Sequence, residues 1–435
     1  MNILMMTNTY IPIVGGIERS IECFSREYRS LGHEALIVAP VFKNMPDKEE
    51  DVFRIPAIQN FNGTDFSVEL PVPGILKGAL DGFGPEIVHS HHPFLVGDTA
   101  LRVSARREIP IVFTYHTMYE LNTHYVPGDS EALKKFVVQL AAGYCDLCDK
   151  VIAPSRSIKE LLESRGVRTE IVTIPTGIDA SEFEKGSGAS IRRTLDIPEE
   201  AFVAGYLGRI AEEKNMDFLF EAVMSFLREE KDAHFLVVGD GGMKKELEKK
   251  ASSSSLGQKI HFTGVLKGED KVNAYHAMDA FVFASKSETQ GLVLAEAMAS
   301  GVPVIGLDAP GAREVVRDGK NGFLADKEDV SFYAGLMQRI AKAEKPRRAE
   351  MSDEAVKTAR SFDYRKSAER TLELYRDTMS RKRERKERDK SIWSYAKRSI
   401  NKEMEIISNM MRSAGAALNR NGDEHDGRKK QTENT

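Results

Sequence analysis

The sequence predicts an α/β protein of two domains, each with a parallel sheet covered by helices on both faces. A chain of 435 residues is long enough for two domains with cores of their own. Short apolar runs alternate with amphipathic stretches, which is typical of parallel strands joined by helices. The runs fall into two series separated by the segment EKGSGAS at 184–190, whose small residues favour a linker.

The first series contains six candidate strands, at residues 3–6, 35–39, 87–89, 111–115, 151–153 and 171–174. The second contains five, at residues 201–207, 235–238, 260–262, 280–283 and 303–305. We therefore expect a first domain at 1–183 and a second at 184–361. Parallel strands point their carboxyl ends at the ligand crevice, so two such domains are expected to face each other across a cleft.

Composition excludes several classes of protein. Hydrophobic residues make up 41% and charged residues 29%, as in soluble globular enzymes. No apolar stretch reaches the roughly 18 residues that span a bilayer, and the first residues lack a basic leader, so we expect a cytoplasmic protein. The net charge of −4 gives no overall basicity for nucleic acid. Three cysteines cannot build a disulfide framework.

Two groups of residues have the spacing of metal ligands. Cys145 and Cys148 lack a second pair, so we expect small core residues on a helix. His89, His91 and His92 lie together in HSHH, but no second ligand group accompanies them and no Asp-x-Asp pair occurs in the chain. We therefore expect no metal.

The segment SKSETQGLVLAEAMASGVP at 285–303 carries the most specific pattern. It predicts a strand end, a polar loop, and a helix that begins near Gly291 with its N–H groups directed into the crevice. Such a helix end binds phosphate, and the carboxylates of Glu288 and Glu296 would flank it and could bind hydroxyls. A helix-dipole charge at Glu288 and a solvated surface carboxylate at Glu296 explain the pair equally well.

Cations follow the first strand of the second series, in GRIAEEKN at 208–215. Arg209 offers a planar fork of donors and Lys214 a compact charge, a combination that suits a diphosphate. Ordinary surface cations are the alternative. The loop GDGG at 239–242 is a third glycine-rich turn at the same edge and is a weak signal by itself.

In the first series, the segment PIVGGIE at 12–18 ends a strand and opens a helix, with Gly15 and Gly16 where a polar ligand group could approach. His116 lies at the end of another strand, facing the crevice. A structural role is the alternative for a single histidine, although its position favours function.

Together these segments resemble glycosyltransferase family 4, the retaining enzymes of GT-B fold, over residues 1–378. The most specific element is the E-x₇-E spacing of Glu288 and Glu296, followed by ASGVP. The resemblance implies two Rossmann-like domains that face a cleft, and a helix at 362–380 that returns to the first domain. It implies a nucleotide-sugar donor and a transfer that needs no metal or other cofactor.

The resemblance also implies a role for each site residue. Glu288 contacts hydroxyls of the donor sugar and Glu296 contacts the ribose. The remaining residues hold the donor as follows: Arg209 and Lys214 hold the diphosphate, the N–H groups of Gly291, Leu292 and Val293 cap it, and Gly16 and His116 reach the diphosphate and the sugar. We assign His116, Glu288, Arg209 and Lys214 to catalysis. Front-side attack, in which the leaving phosphate takes the acceptor proton, is favoured over Glu288 as a nucleophile.

Within the family, YHTMYE at 115–120 through residues 124–126 looks most like bacterial diacylglycerol glucosyltransferases. This likeness implies transfer of glucose from UDP-glucose to a membrane lipid, with residues 68–74 and 118–133 near the acceptor. Two alternatives stay open: a soluble enzyme acting on a small metabolite or polysaccharide precursor, and a catalytically silent binding protein.

The tail from residue 381 to 435 has its own pattern. Residues 381–390 carry seven cations and three anions. Apolar residues then recur every three or four positions, at Ile392, Ala396, Ile400, Met404, Ile407, Met411, Ala414 and Leu418, with Trp393 at the start. A basic entry and an apolar stripe predict a helix on the anionic inner face of the cell membrane, outside either core. A solvated helix and a coiled-coil strand are the alternatives, and residues 419–435 are expected to be disordered.

Overall fold

The computed structural model describes residues 1–13, 15–58, 68–69, 75–121, 130–388 and 392–418; within these ranges the side chains of 58, 68–69, 385–388, 392–400 and 415–418 are left out. The chain divides into two compact units, here called unit 1 (Met1–Ile174 with Arg365–Thr435) and unit 2 (Pro175–Tyr364). Residues 175–183, which we assigned to the first domain, thus belong to unit 2. The expected linker at 184–190 lies inside unit 2 as well.

Unit 1 is built on a seven-stranded parallel sheet. Its strands are β1 (Asn2–Met6), β2 (Glu34–Pro40), β3 (Val52–Ile55), β6 (Ile87–Ser90), β7 (Ile111–Thr114), β8 (Lys150–Ala153) and β9 (Ile171–Thr173), and β4 (Ala57–Ile58) pairs with β5 (Val68–Glu69) apart from it. The strand order is β3-β2-β1-β6-β7-β8-β9, so the winding reverses between β1 and β6. Ligand crevices form at such reversals in doubly wound sheets.

The helices of unit 1 are α1 (Gly16–Ser30), α2 (Ile75–Phe83), α3 (Val96–Arg107), α4 (Glu131–Leu147), α5 (Arg156–Ser164), α14 (Tyr364–Arg388) and α15 (Ile392–Leu418). Serines start two of them, because Ser130 and Ser155 accept backbone N–H bonds that the first turns of α4 and α5 cannot satisfy internally. Cys145 and Cys148 are buried in the core of unit 1, at the end of α4. They are core residues, as expected.

Unit 2 is built on a six-stranded parallel sheet. Its strands are β10 (Phe202–Leu207), β11 (Ala233–Val238), β12 (Ile260–Gly264), β13 (Ala280–Phe283), β14 (Val304–Leu307) and β15 (Gly322–Ala325), in the order β12-β11-β10-β13-β14-β15. Its helices are α6 (Gly188–Thr194), α7 (Met216–Glu229), α8 (Lys244–Ser252), α9 (Gly268–His276), α10 (Leu292–Ala299), α11 (Ala312–Val315), α12 (Val330–Ala341) and α13 (Lys345–Ser361). Here the winding reverses between β10 and β13.

All eleven predicted strands are present, and the structure adds four that the sequence analysis missed: β3, β4, β5 and β15. Of these, β3 and β15 each lie at one edge of their sheet and are only four residues long. The apolar run of β3 is interrupted by Arg54, and that of β15 begins with Gly322. These short runs give a weak signal.

The prediction that the tail lies outside both cores is wrong for α15. This helix packs on α4 and α3 of unit 1 and buries Ile406, Asn409 and Ser413. The Asn409 amide donates to the Leu140 carbonyl at 3.1 Å, and Arg102 pairs with Glu403 at 2.8 Å. Residues of α15 therefore complete the core of unit 1.

The predicted apolar stripe faces away from this contact. Met404, Ile407 and Met411 are 63%, 54% and 70% exposed. Part of the basic run is also engaged, since Arg381 pairs with Asp377 and Glu170, and Lys382 pairs with Asp149. The described part of the chain contains no helix that is both long and apolar enough to cross a membrane. The description leaves out residues 419–435 and five side chains of the stripe, those of Ile392, Trp393, Ala396, Ile400 and Leu418.

Candidate functional site

The predicted site residues of unit 2 follow three neighbouring strands. Arg209 and Lys214 follow β10, the GDGG loop follows β11, and Glu288 follows β13. Because the strand order is β11-β10-β13 and all are parallel, these loops lie together at the carboxyl edge of one sheet. This is the edge at which doubly wound domains bind ligands.

Gly291 is the residue from which α10 begins. Its φ of +77° is accessible to glycine, and a Cβ there would lie 2.8 Å from the Gly311 carbonyl oxygen. Leu292 and Val293 are the first helical residues, so their N–H groups have no acceptor inside the helix. The predicted helix start is present, with the geometry that binds an anion.

Lys214 and Glu288 form an ion pair in this structure. Lys214 closes a short 3-10 turn at Glu212–Lys214, and Glu288 lies on the loop before α10. Both side chains are largely buried, at 17% and 21% exposure. The pair brings a cation for phosphate and a carboxylate for hydroxyls within contact of each other.

Arg209 is more exposed and pairs with Glu213 at 3.2 Å. The Glu213 side chain is 5% exposed. The backbone carbonyl oxygen of Glu213 accepts hydrogen bonds from the hydroxyls of Ser285 and Ser287. The Tyr206 hydroxyl donates to the Arg209 carbonyl at 2.8 Å. These bonds fasten the β10 loop to the β13 loop, so the predicted cations and Glu288 are held on one connected surface.

The GDGG loop has a packing explanation. A Cβ at Gly239 would lie 1.9 Å from the Gly208 carbonyl oxygen, and one at Gly241 would lie 2.3 Å from that of Ile210. Ile210 N–H also donates to the Asp240 carbonyl at 2.9 Å. The glycines therefore allow the β10 and β11 loops to pack backbone against backbone.

Glu296 lies on the second turn of α10 and is 2% exposed. Its Oε2 accepts the Tyr275 hydroxyl at 2.8 Å and lies 2.6 Å from Lys271 Nζ. Lys271 and Tyr275 are both on α9, and sequence analysis missed them. Their spacing of four residues places them on one helix face, but no sequence pattern linked α9 to Glu296.

In unit 1, Gly16 is the first residue of α1, immediately after the loop that follows β1. Glu18, in the first turn, is buried, and burial raises the pKa of its carboxyl group. A Cβ at Gly15 would lie 2.5 Å from the Glu18 carboxylate. The two glycines thus lie at a helix start, as predicted, and Gly15 also leaves room for Glu18.

His116 follows β7, and its Nε2 lies 2.9 Å from Nδ1 of His91, which follows the neighbouring strand β6. Burial lowers the pKa of His116 to about 3, and burial also lowers the pKa of His91 well below its usual value. Both imidazoles are therefore neutral near pH 7, and the N–H group of one donates a hydrogen bond to the other.

The remaining histidines of the HSHH motif are hydrogen bonded. His89 contacts the Thr114 hydroxyl at 2.7 Å and the Tyr375 hydroxyl at 2.5 Å, and Asn8 N–H donates to His92 at 3.1 Å. Burial lowers the pKa of His89 and of His92 to about 3. Within the described ranges, no group of three or more His, Cys, Asp or Glu side chains is arranged to hold a metal ion.

The two segments expected near the acceptor are only partly described. Residues 70–74 and 122–129, including 124–126, lie outside the description. In the described part, Glu120 forms an ion pair with Arg165, which also donates to the Tyr115 hydroxyl at 2.9 Å. The structure places Gly16 and His116 in unit 1 and all other predicted site residues in unit 2.

Comparison with known proteins adds family and fold. Residues 14–182 match the model "Glycosyltransferase Family 4", and residues 189–358 match "Glycosyl transferases group 1". Alpha-monoglucosyldiacylglycerol synthases from Streptococcus pneumoniae and Acholeplasma laidlawii are each 30% identical, over 74% and 76% of this chain and 75% and 86% of theirs. A GDP-mannose-dependent alpha-mannosyltransferase from Mycobacterium tuberculosis is 28% identical over 74% of this chain and 83% of its own.

Two solved structures have the same fold. Anabaena HepE in complex with UDP superposes with a TM-score of 0.68 at 20% identity, over 87% of this chain and 100% of that one. Sucrose-phosphate synthase from Thermosynechococcus elongatus has a TM-score of 0.70 at 18% identity, over 87% and 99%. These likenesses, with the two sheets described above, confirm the predicted GT-B class of paired Rossmann-like domains.

Proposed function

Since the chain belongs to glycosyltransferase family 4, we propose that this glycosyltransferase moves glucose from UDP-glucose to a hydroxyl of diacylglycerol, with retention of anomeric configuration. The observation that carries the donor site is the connected surface of unit 2, where Lys214, Glu288 and the start of α10 lie together. Lys214 and the N–H groups of Leu292 and Val293 bind the diphosphate. Glu288 binds hydroxyls of the sugar.

The same groups lower the barrier to transfer. Cleavage of the sugar C1–O bond builds negative charge on the departing diphosphate, and Arg209, Lys214 and the α10 N–H groups are fixed positive groups that stabilise it. A departing phosphate oxygen takes the proton of the acceptor hydroxyl. The acceptor oxygen then bonds to C1 of the sugar on the face that the diphosphate leaves. From the family resemblance alone, we further assign His116 and Gly16 of unit 1 to binding of the sugar and the diphosphate.

The proposed reaction needs no metal ion, because Arg209, Lys214 and the α10 N–H groups take the place of a divalent cation at the diphosphate, and one such oriented donor contributes up to about 10³-fold to the rate. We therefore expect activity to survive an excess of EDTA with less than about a twofold change. A loss of activity that only a divalent ion restores would overturn the assignment of Arg209 and Lys214.

The choice of donor is supported by relatives named for monoglucosyldiacylglycerol synthesis. Relatives named for GDP-mannose favour a second candidate donor. Thermal unfolding with UDP-glucose, UDP-galactose and GDP-mannose separates them, since at equal concentration the ligand that binds the folded state more tightly raises the unfolding temperature more. Turnover on diacylglycerol vesicles then tests the acceptor, and hydrolysis of the donor separates an active enzyme from a silent scaffold.

Contact with an anionic membrane is supported by the exposed side of α15. Met404, Ile407 and Met411 form an exposed apolar stripe on a helix whose other side is held by unit 1. Apolar side chains that enter the headgroup region bring an enzyme to a lipid acceptor. The proposal therefore includes a position on the inner face of the cell membrane, whereas a soluble acceptor would not require the stripe.

Sedimentation with anionic vesicles tests the membrane proposal. Replacing Met404, Ile407 and Met411 together by serine should abolish cosedimentation and leave donor hydrolysis unchanged. Equal sedimentation of the variant and the natural protein would move membrane contact elsewhere. No sedimentation of either would favour the soluble-acceptor alternative.

A further inference from the structure

Lys271 contacts the most buried carboxylate of the donor site. Its Nζ lies 2.6 Å from Glu296 Oε2, which also accepts the Tyr275 hydroxyl at 2.8 Å. The Glu296 side chain is 3% exposed and that of Lys271 is 19% exposed. We propose that Lys271 is a positioning residue for nucleotide binding, which holds the Glu296 carboxylate in the orientation that accepts hydroxyls of the ribose.

A carboxylate this deeply buried needs a counter-charge. Without one, the cost of removing the charge from water is not offset. Lys271 supplies the opposite charge at the distance of a charge-assisted hydrogen bond. Arg209 and Lys214, the cations proposed to hold the diphosphate, form ion pairs with Glu213 and Glu288.

The position of Lys271 is itself fixed. Its Nζ lies 5.3 Å from the centre of the Phe183 ring and 6.0 Å from that of Tyr275, within range of cation–π attraction. Lys271 and Tyr275 therefore approach Glu296 from the same helix and direct two donors at the same oxygen, Oε2. Two donors on one oxygen fix the rotation of the carboxylate and so the direction in which it accepts a further hydrogen bond.

This inference rests on the proposed function, because it takes the ligand of Glu296 to be the ribose of a nucleotide. The first measurement is calorimetric titration of the natural protein with UDP between pH 6 and pH 9. Absence of binding would overturn the proposed donor and this inference with it. Binding to the natural protein allows the variants to test Lys271 alone.

Lys271→Met keeps an unbranched side chain of similar length and removes the charge. UDP affinity should fall about tenfold at pH 7, the range expected for loss of a hydrogen bond to a charged group. Lys271→Arg should stay within about threefold of the natural protein. Lys245→Met, at an exposed lysine of α8, is the matched control and should change nothing.

A double variant separates positioning from direct contact. If Lys271 acts through Glu296, adding Lys271→Met to Glu296→Gln should cause no further loss of UDP affinity. The double variant also removes both buried charges together, so it should fold even where Lys271→Met alone does not. Additive losses in the double variant, or natural affinity in Lys271→Met, would overturn the proposal.

Discussion

The carboxyl edges of the two sheets carry different kinds of polar group. In unit 2 the edge includes ion pairs that each involve a predicted site residue, formed by Lys214 with Glu288, Arg209 with Glu213, and Lys271 with Glu296. In unit 1 the corresponding edge includes buried histidines, and burial lowers the pKa of each. Two sheets of similar winding therefore place charged pairs at the predicted site of unit 2 and neutral imidazoles at that of unit 1.

This difference follows the chemistry proposed for each side. A departing diphosphate is stabilised by fixed positive charge, whereas a sugar hydroxyl needs only a donor or acceptor in the right position. The units also differ in continuity. Unit 2 is one segment, Pro175–Tyr364, while unit 1 is completed by helices from the C-terminal end of the chain.

Lys214→Ala should show the largest effect, because it removes a fixed charge from the leaving group and leaves Glu288 unpaired. We expect the turnover number to fall about 10²- to 10³-fold, as for loss of one donor to a developing charge. Lys286→Ala is the control: Lys286 lies on the β13 loop with Glu288, is 58% exposed and pairs with Glu328. Similar losses in both variants would mean that general charge, rather than the Lys214 position, supports the reaction.

Ile406→Ala tests whether the tail belongs to unit 1. Ile406 is 2% exposed and its neighbour Ile407 is 54% exposed. We expect Ile406→Ala to lower the free energy of unfolding by about 2–5 kcal/mol, and Ile407→Ala by no more than about 0.5 kcal/mol. Urea denaturation measures both. UDP binding by unit 2 should survive either change, and equal stability of the two variants would show that α15 does not complete a core.

The sequence predicted strands and helix starts well, because parallel strands and glycine turns leave local patterns. It failed at α15, where the helical period and the apolar stripe were predicted correctly but the side that packs on unit 1 was not. On that side α15 approaches α4 closely, since a Cβ at Gly143 of α4 would lie 1.7 Å from Asn409 Oδ1. A polar residue packed against a glycine has no hydrophobic signature. Lys271 was missed for a similar reason, since its partner is 25 residues away in sequence.

The buried histidines of unit 1 should make the free energy of unfolding depend on pH. Burial holds the pKa of His89, His92 and His116 at about 3, while in the unfolded chain each is near 6.5. Between about pH 3 and 6.5 the unfolded state therefore binds more protons, so stability is full above about pH 6.5 and is lost as pH falls through this window. Urea midpoints at pH 7, 6 and 5 measure the loss. His92→Asn should make it shallower, and an unchanged slope would contradict a neutral His92.

The smallest effect is expected on the pH dependence of the rate near pH 6.5, the ordinary pKa of a histidine such as His116. Because burial lowers the pKa of His116 to about 3, this side chain stays neutral from pH 8 down to pH 5. The rate at saturating donor should therefore show no step near pH 6.5 that is due to His116. His116→Gln keeps a neutral donor and acceptor but loses the bond to His91, so the rate should fall about tenfold by the same factor at every pH. If the natural enzyme shows a step near pH 6.5 that is absent from His116→Gln, the imidazole is charged in the working enzyme. The contrast between the two edges would then be wrong at the residue on which it most depends.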